Sequence, residues 1–286
     1  MGYPPEKLVP TTPIVDLSNK GISEMFAAFF RTFTALLCLI CLPGLVFFGG
    51  TPAAGEDFRM DNKVFFGGEK EAASQSTTIF HDGVVYDYLQ KPAEVIVFET
   101  VPGRFILLDT ERRIRAELTT DAVTSFTQRL QESAAEQQDP FIRFRADPEF
   151  EEEFDAASGQ LTLSSPWMTY RLVLEGTVGK EIAAQYRAFS DWYARVNTLL
   201  QPGAMPAEAR LLINGAIFKY QSFAKEVHLT IVPKKTFPPK KVDLHSEHHL
   251  TRQVAEADLD RVAQTRQFME IFKPVSFEQY RGSLDR

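Results

Sequence analysis

Between residues 57 and 119, apolar positions recur in short runs at a spacing of two, and turn residues separate the runs. "DFRMDNKVFF" has strand composition and ends at Gly67-Gly68. "STTIFHDGVVYDYL" holds two β-rich runs around His81-Asp82-Gly83. Asp-Gly supplies the positive φ angles of a tight hairpin turn, so the two runs are read as a hairpin. Side chains alternate along a strand, which puts Val84, Tyr86 and Tyr88 on one face and Val85, Asp87 and Leu89 on the other. "AEVIVFE" and "RFILLDT" flank Thr100-Val101-Pro102-Gly103 as a second hairpin, and "RRIRAEL" follows as a third strand. "VIVF" and "FILL" have no polar position in either phase, which predicts burial on both sides.

The period then lengthens. In "TTDAVTSFTQRLQES", Val123, Phe126 and Leu130 fall at helical spacing behind a Thr119 or Thr120 cap. "EFEEEFDA" and "QLTLSS" form a strand pair turning at Ala157-Ser158-Gly159. "WMTYRLVL" follows with Met168, Tyr170, Leu172 and Leu174 on one face. "KEIAAQYRAFSDWYARVNTLL" carries Ile182, Tyr186, Phe189, Tyr193 and Val196 on one stripe of a helix that Pro202-Gly203 ends. "PAEARLLINGAIFKY" is a second helix antiparallel to it. "EVHLTIV" and "VDLHSEHHLTRQV" return to strand on either side of "PKKTFPPKK", and "EADLDRVAQTRQFMEIF" is a last helix. These elements predict an α+β fold: a curved antiparallel β-sheet, an incomplete barrel, with helices packed on the concave side.

The N-terminal pattern differs. From Thr32 to Phe48 no residue is charged, Arg31 precedes the run, and small residues and acid follow it. A basic, apolar, small order is that of an export signal, and the run also approaches bilayer-spanning length. Residues 1–55 are therefore read as a leader whose apolar segment, 32–48, is either a signal peptide cleaved after Ala53 or Gly55, or a retained membrane anchor. Both alternatives place a single domain, residues 56–286, on the extracytoplasmic side, periplasmic or membrane-anchored. Cys38 and Cys41 lie inside this run without a second pair, and they read as small apolar residues. "VFFGG" occurs at Val46–Gly50 and at Val64–Gly68, ending the leader's apolar run in one copy and the first strand in the other.

A net charge of −7 removes the basic surface that general nucleic-acid binding needs. The 24 Phe against 2 Trp mean that Phe supplies much of the core volume. No Gly-x-Ser-x-Gly elbow or phosphate loop occurs, so no catalytic residue and no cofactor is assigned. In "HSEHH", His245, Glu247 and His249 share a face if the segment is a strand, which makes them metal-ligand candidates against the alternative of a solvated polar face. The acidic stretch Glu149–Asp155 lacks the turn glycine of a calcium loop. Lys234, Lys235, Lys240 and Lys241 form a basic connection suited to anionic headgroups or to solvent alone.

"GVVYDYLQKPAEVIVFE" resembles a pattern of the periplasmic outer-membrane lipoprotein carrier (LolA-like) superfamily: glycine (Gly83), strand, a basic residue with proline (Lys91-Pro92), strand. "RFILLDTERRIRAEL" is similar to the hairpin that follows in that family, "TTDAVTSFTQRL" to its helix, and "GQLTLSSPWMTYRLVLE" to its later strand pair. The resemblance covers about residues 58–175. It implies a half-barrel with helices as a lid over an apolar cavity that shelters acyl chains. The expectation is a non-enzymatic exported carrier or sensor whose partner is a lipid or lipoprotein acyl chain, with the membrane met through the N-terminal segment. Cavity-lining candidates are Tyr86, Tyr88, Val95, Val97, Phe105, Leu107, Met168, Tyr170 and Leu172. A membrane-tethered assembly protein binding other envelope proteins and a zinc enzyme on His245, Glu247 and His249 are the alternatives.

Overall fold

A computed structural model of the chain describes residues 55–200, 206–232 and 241–284. The apolar run at 32–48, both cysteines, Pro202-Gly203 and the first three lysines of the basic connection lie outside the described residues. Among the described residues no helix is long and apolar enough to cross a membrane.

Two antiparallel meanders join side by side. The first is β1 (Phe58–Phe66), β2 (Ser74–His81), β3 (Val84–Leu89), β4 (Glu94–Glu99), β5 (Arg104–Asp109) and β6 (Ile114–Thr119). The second is β7 (Glu151–Asp155), β8 (Gln160–Ser164), β9 (Met168–Leu174), β10 (Ala224–Ile231) and β11 (Val242–Thr251). Pairing of β1 with β11 makes one open sheet, ordered β12-β6-β5-β4-β3-β2-β1-β11-β10-β9-β8-β7. The short β12 (Lys273–Pro274) adds to β6 in parallel, and all other pairs are antiparallel. Among the described residues, six helices complete the α+β fold: α1 (Thr120–Ala135), α2 (Pro140–Ala146), α3 (Lys180–Leu200), α4 (Glu208–Lys219), α5 (Glu256–Ile271) and α6 (Phe277–Leu284).

Local chemistry sets the hairpins and caps. Asp82 and Gly83 take φ of 53° and 71°, the left-handed pair that the β2–β3 turn requires. The Thr119 hydroxyl accepts from the Ala122 amide and starts α1. Asp139 caps α2, with Pro140 opening the helix. Ser276 and Gln279 exchange side-chain and backbone hydrogen bonds at the start of α6, a capping box.

Register turns alternation into faces. Phe58, Phe80, Val85, Phe98, Phe105 and Leu118 are direct cross-strand partners from β1 to β6 and form one row across one face. Phe58 stacks on Phe80 at 3.9 Å and Phe98 on Phe105 at 4.4 Å. Helices α1, α3 and α6 cover this row with Val123, Ile182, Phe189, Val196 and Tyr280. Each such side chain, fully buried, contributes about 1.5–3 kcal/mol. On the same face of the second meander, α2 and α4 pack on Leu161, Met168, Leu172 and Val227. The opposite face of β2–β5 carries Ile79, Tyr86, Val97 and Ile106 and is covered by α5 through Val262 and Phe268. "VIVF" and "FILL" are thus buried on both sides because helices sit on both sides of β4 and β5.

The apolar side chains of helix α5 are not gathered on one face, and polar contacts to tyrosines help to seat it. Thr265 Oγ1 lies 3.0 Å from the Tyr88 hydroxyl, Arg266 Nε donates to the Tyr86 hydroxyl at 3.1 Å, and the Arg261 guanidinium lies 3.8 Å from the Tyr88 ring centre. Arg59 of β1 reaches Asp258 at 3.0 Å.

Candidate functional site

The helix-covered face changes character along β1. Phe58 and Met60 point into packed core, but the next inward positions are Asn62 and Val64. Their partners follow: Met60 faces Thr78, Thr78 faces Asp87, and Asn62 faces Ser76 on one side and His248 on the other. Polar side chains at inward positions cannot fill the space as Phe does. A pocket of about 330 Å³ lies between these strands and α3 and α4. Met60, Val64, Phe80, Leu89, Tyr186 and Phe189 supply apolar wall, while Asn62, Ser76, Asp87, Asn197, Arg210 and His248 supply polar groups.

The polar groups form a directed chain. Ser246 Oγ and His248 Nε2 are 2.9 Å apart, and His248 Nδ1 lies 2.8 Å from Asn62 Oδ1. The Asn62 amide donates to Ser76 Oγ and Thr78 Oγ1 at 3.1 and 3.0 Å, and the Thr78 hydroxyl donates to Asp87 Oδ1 at 2.7 Å. A neutral imidazole with its proton on Nδ1 satisfies every link, each donor facing toward the Asp87 carboxyl. Asp87 is 2 % exposed. Burial pushes its carboxyl up, and hydroxyls of Thr78, Ser76 and Tyr193 counter the shift. Burial and the neighbouring Asp87 hold the Tyr193 phenol well above its ordinary range. Burial pushes His248 down to about 3, with the Arg210 guanidinium and His245 adding to the shift.

Ser246, His248 and Asn62 are spaced like a nucleophile, its base and the group that orients the base. An imidazole held that low is a weak acceptor for the serine proton, because general-base catalysis favours a pKa near the working pH. The arrangement is better suited to hold a polar group in fixed orientation. Arg187 on α3 pairs with Asp191 and Arg59 pairs with Asp61 and Asp258, whereas Arg210 has no carboxylate within ion-pair distance among the described residues. Its charge is available to an anionic or strongly polar ligand group. A larger and more open depression, about 940 Å³, lies beside this pocket between β1, β2, β11 and the β9–α3 and α4–β10 connections.

The structure separates the nine lining candidates. Tyr86, Tyr88, Val95 and Val97 lie in the cluster under α5. Phe105 and Leu107 lie on the opposite face, in the cluster under α1 and α3. Met168, Tyr170 and Leu172 share that second face but belong to the cluster under α2 and α4. None of the nine lines the 330 Å³ pocket. His245, Glu247 and His249 occupy successive outward positions of β11, on the face that no helix covers in this half of the sheet among the described residues. The donors that converge there are His245, His228 and Glu226, across β10 and β11. Of the pocket's polar groups, Asp87 had a sequence signal, a carboxylate set inside the strand "VVYDYL". Asn62 and Arg210 had none, and His248 stood in "HSEHH" without pointing to this pocket, because three separate elements bring the residues together.

No protein-family model matches the chain, and no curated protein matches it.

Proposed function

We propose that the protein is a non-enzymatic, exported component of the cell envelope, a carrier or sensor that binds an amphiphile in the pocket between the sheet and α3–α4. The ligand is a lipid or a lipoprotein acyl chain. Its apolar part lies against Met60, Val64, Phe80 and Phe189, and its polar head meets Arg210 and the Asn62–His248 chain. The observation that carries this reading is the mixed lining of the pocket, where Arg210, without a carboxylate partner among the described residues, stands beside an apolar wall. Further support comes from the apolar run at 32–48 and from the strand-and-helix order that resembles the lipoprotein carriers. In that reading the sheet is an incomplete barrel, its concave side closed by the helices.

The volume limits the ligand. About 330 Å³ is at the low end for small-molecule sites, so the pocket takes a short chain or the part of a longer one next to its head. Each methylene buried there gains about 0.8 kcal/mol. Native mass spectrometry of the full chain extracted from membranes tests the reading. An acyl species that disappears with Arg210→Gln supports it. A chain that stays ligand-free and does not bind added fatty acid or lipopeptide refutes it.

A second reading is favoured by the outward face of β11–β8, which no helix covers among the described residues and which, with Lys63 of β1 beside it, bears Arg171, Glu226 and Glu247. A membrane-tethered assembly protein would present such a face to other envelope proteins. In that case Arg210→Gln leaves partner recovery unchanged.

A further inference from the structure

On the outward face of β10 and β11, His228 and His245 are direct cross-strand partners. Their rings stack at 4.3 Å with planes 5° apart. Glu226, two residues before His228 and so on the same face, brings Oε2 to 3.9 Å from His228 Nε2. One donor atom from each of the three residues falls within 4.8 Å of the others. We propose that Glu226, His228 and His245 form a binding site for a divalent late transition ion of the zinc class, distinct from the amphiphile pocket on the other face of the sheet.

Two observations carry the proposal. Two imidazoles and one carboxylate are the donor types that zinc takes when a fourth position is left for water or a further ligand. The Nε2 atom of His245 is closed off from solvent and has no hydrogen-bond partner among the described residues, and a buried imidazole nitrogen left so is usually satisfied in some way. Glu247, the cross-strand partner of Glu226, adds negative charge beside the three donors, while Arg171, the partner of His228, and Lys63, the partner of Glu247, bring positive charge to the same face.

Parallel rings place their lone pairs side by side, and coordination needs them to converge. One ring must therefore turn about χ2, a broad torsion with a low barrier. Phe65 stacks on the other side of His245 at 5.4 Å and holds that ring. His228 is exposed and is the ring free to turn. The bound ion would clip β10 to β11.

The test is titration of Zn²⁺ alone into the untagged full chain, kept in detergent and stripped with chelator, followed by calorimetry, with thermal unfolding measured with and without the ion. One equivalent is expected, with the unfolding temperature raised by the ion. Affinity should fall at least tenfold in His228→Ala and in His245→Ala and stay unchanged in His249→Ala. His228→Ala alters an exposed side chain, so its unfolding temperature without zinc should match that of the parent and separates loss of binding from loss of fold. The proposal is overturned by the absence of saturable binding, or by binding that survives both histidine substitutions. Zinc binding that persists in Arg210→Gln leaves the amphiphile reading to stand or fall on its own experiment.

Discussion

Glu94 is the carboxylate whose burial should be easiest to read in solution. It lies at the start of β4, 6 % exposed, accepts a hydrogen bond from Tyr280 at 3.1 Å and faces Asp109 across the strand pair. Burial raises it from its ordinary 4.5 to about 7; Asp109 adds to the rise, while Tyr280 and Arg112 oppose it. Between those two values the folded chain holds a proton that the unfolded chain has released. Stability therefore falls as pH rises through this window, by about 1.4 kcal/mol per unit and about 3 kcal/mol in all. Glu94→Gln keeps an acceptor for Tyr280 and removes the ionisation. The variant should match the parent near pH 4.5 and exceed it by up to about 3 kcal/mol at pH 8. Urea denaturation of both chains at several pH values, read from Trp192 and Trp167 fluorescence, measures the difference and cancels the other carboxylates. Two stability curves running parallel from pH 5 to pH 8 would refute the reasoning.

Phe105→Ala removes a fully buried ring stacked on Phe98 and should cost about 3–5 kcal/mol, seen as an earlier thermal transition. Thr265→Val keeps the shape but leaves the Tyr88 hydroxyl without its partner at 3.0 Å; a loss of about 1–3 kcal/mol is expected, with faster amide exchange concentrated in α5. Gly83→Val forces a β-branched residue to a φ of 71° in the β2–β3 turn and should destabilise by at least about 1 kcal/mol, whereas Gly83→Asn should be milder; equal losses in urea titration would count against the turn assignment. Arg210→Gln should weaken binding of a fluorescent fatty acid by about tenfold or more, as expected for loss of a charge-assisted hydrogen bond, while leaving the unfolding midpoint in place.

Apolar periodicity does not predict the two short helices α2 and α6, although their capping signals are present. Asp139-Pro140 is a cap followed by a first-turn proline, and Ser276 with Gln279 is a capping box. At 7 and 8 residues, neither helix is long enough to show an apolar stripe, so only capping chemistry marks them. The nine lining candidates are apolar strand positions of the three packed clusters, whereas the apolar strand residues at the pocket are Met60, Val64, Phe80 and Leu89. Open space occurs where inward positions become polar, at Asn62, Ser76 and Asp87, and where two strands from opposite ends of the chain meet.

The sequence by itself determined what is local. Period-two alternation placed the strands, Asp82-Gly83 placed a turn, Thr119 started a helix, and the unbroken apolar runs of β4 and β5 required cover on both faces. Each of these depends on neighbours a few residues apart. Only the tertiary structure decided which strands meet. Pairing of β1 with β11 joins residues about 190 apart, puts His248 beside Asn62 and closes the polar chain to Asp87; pairing of β10 with β11 puts His228 on His245. Alternation states which face a residue occupies and is silent on its cross-strand partner, because register between distant strands is set by the packing of the whole sheet. Helix α5 shows the same division: its weak apolar face gave no direction, and the tyrosines of β3 that receive it lie about 180 residues earlier in the chain.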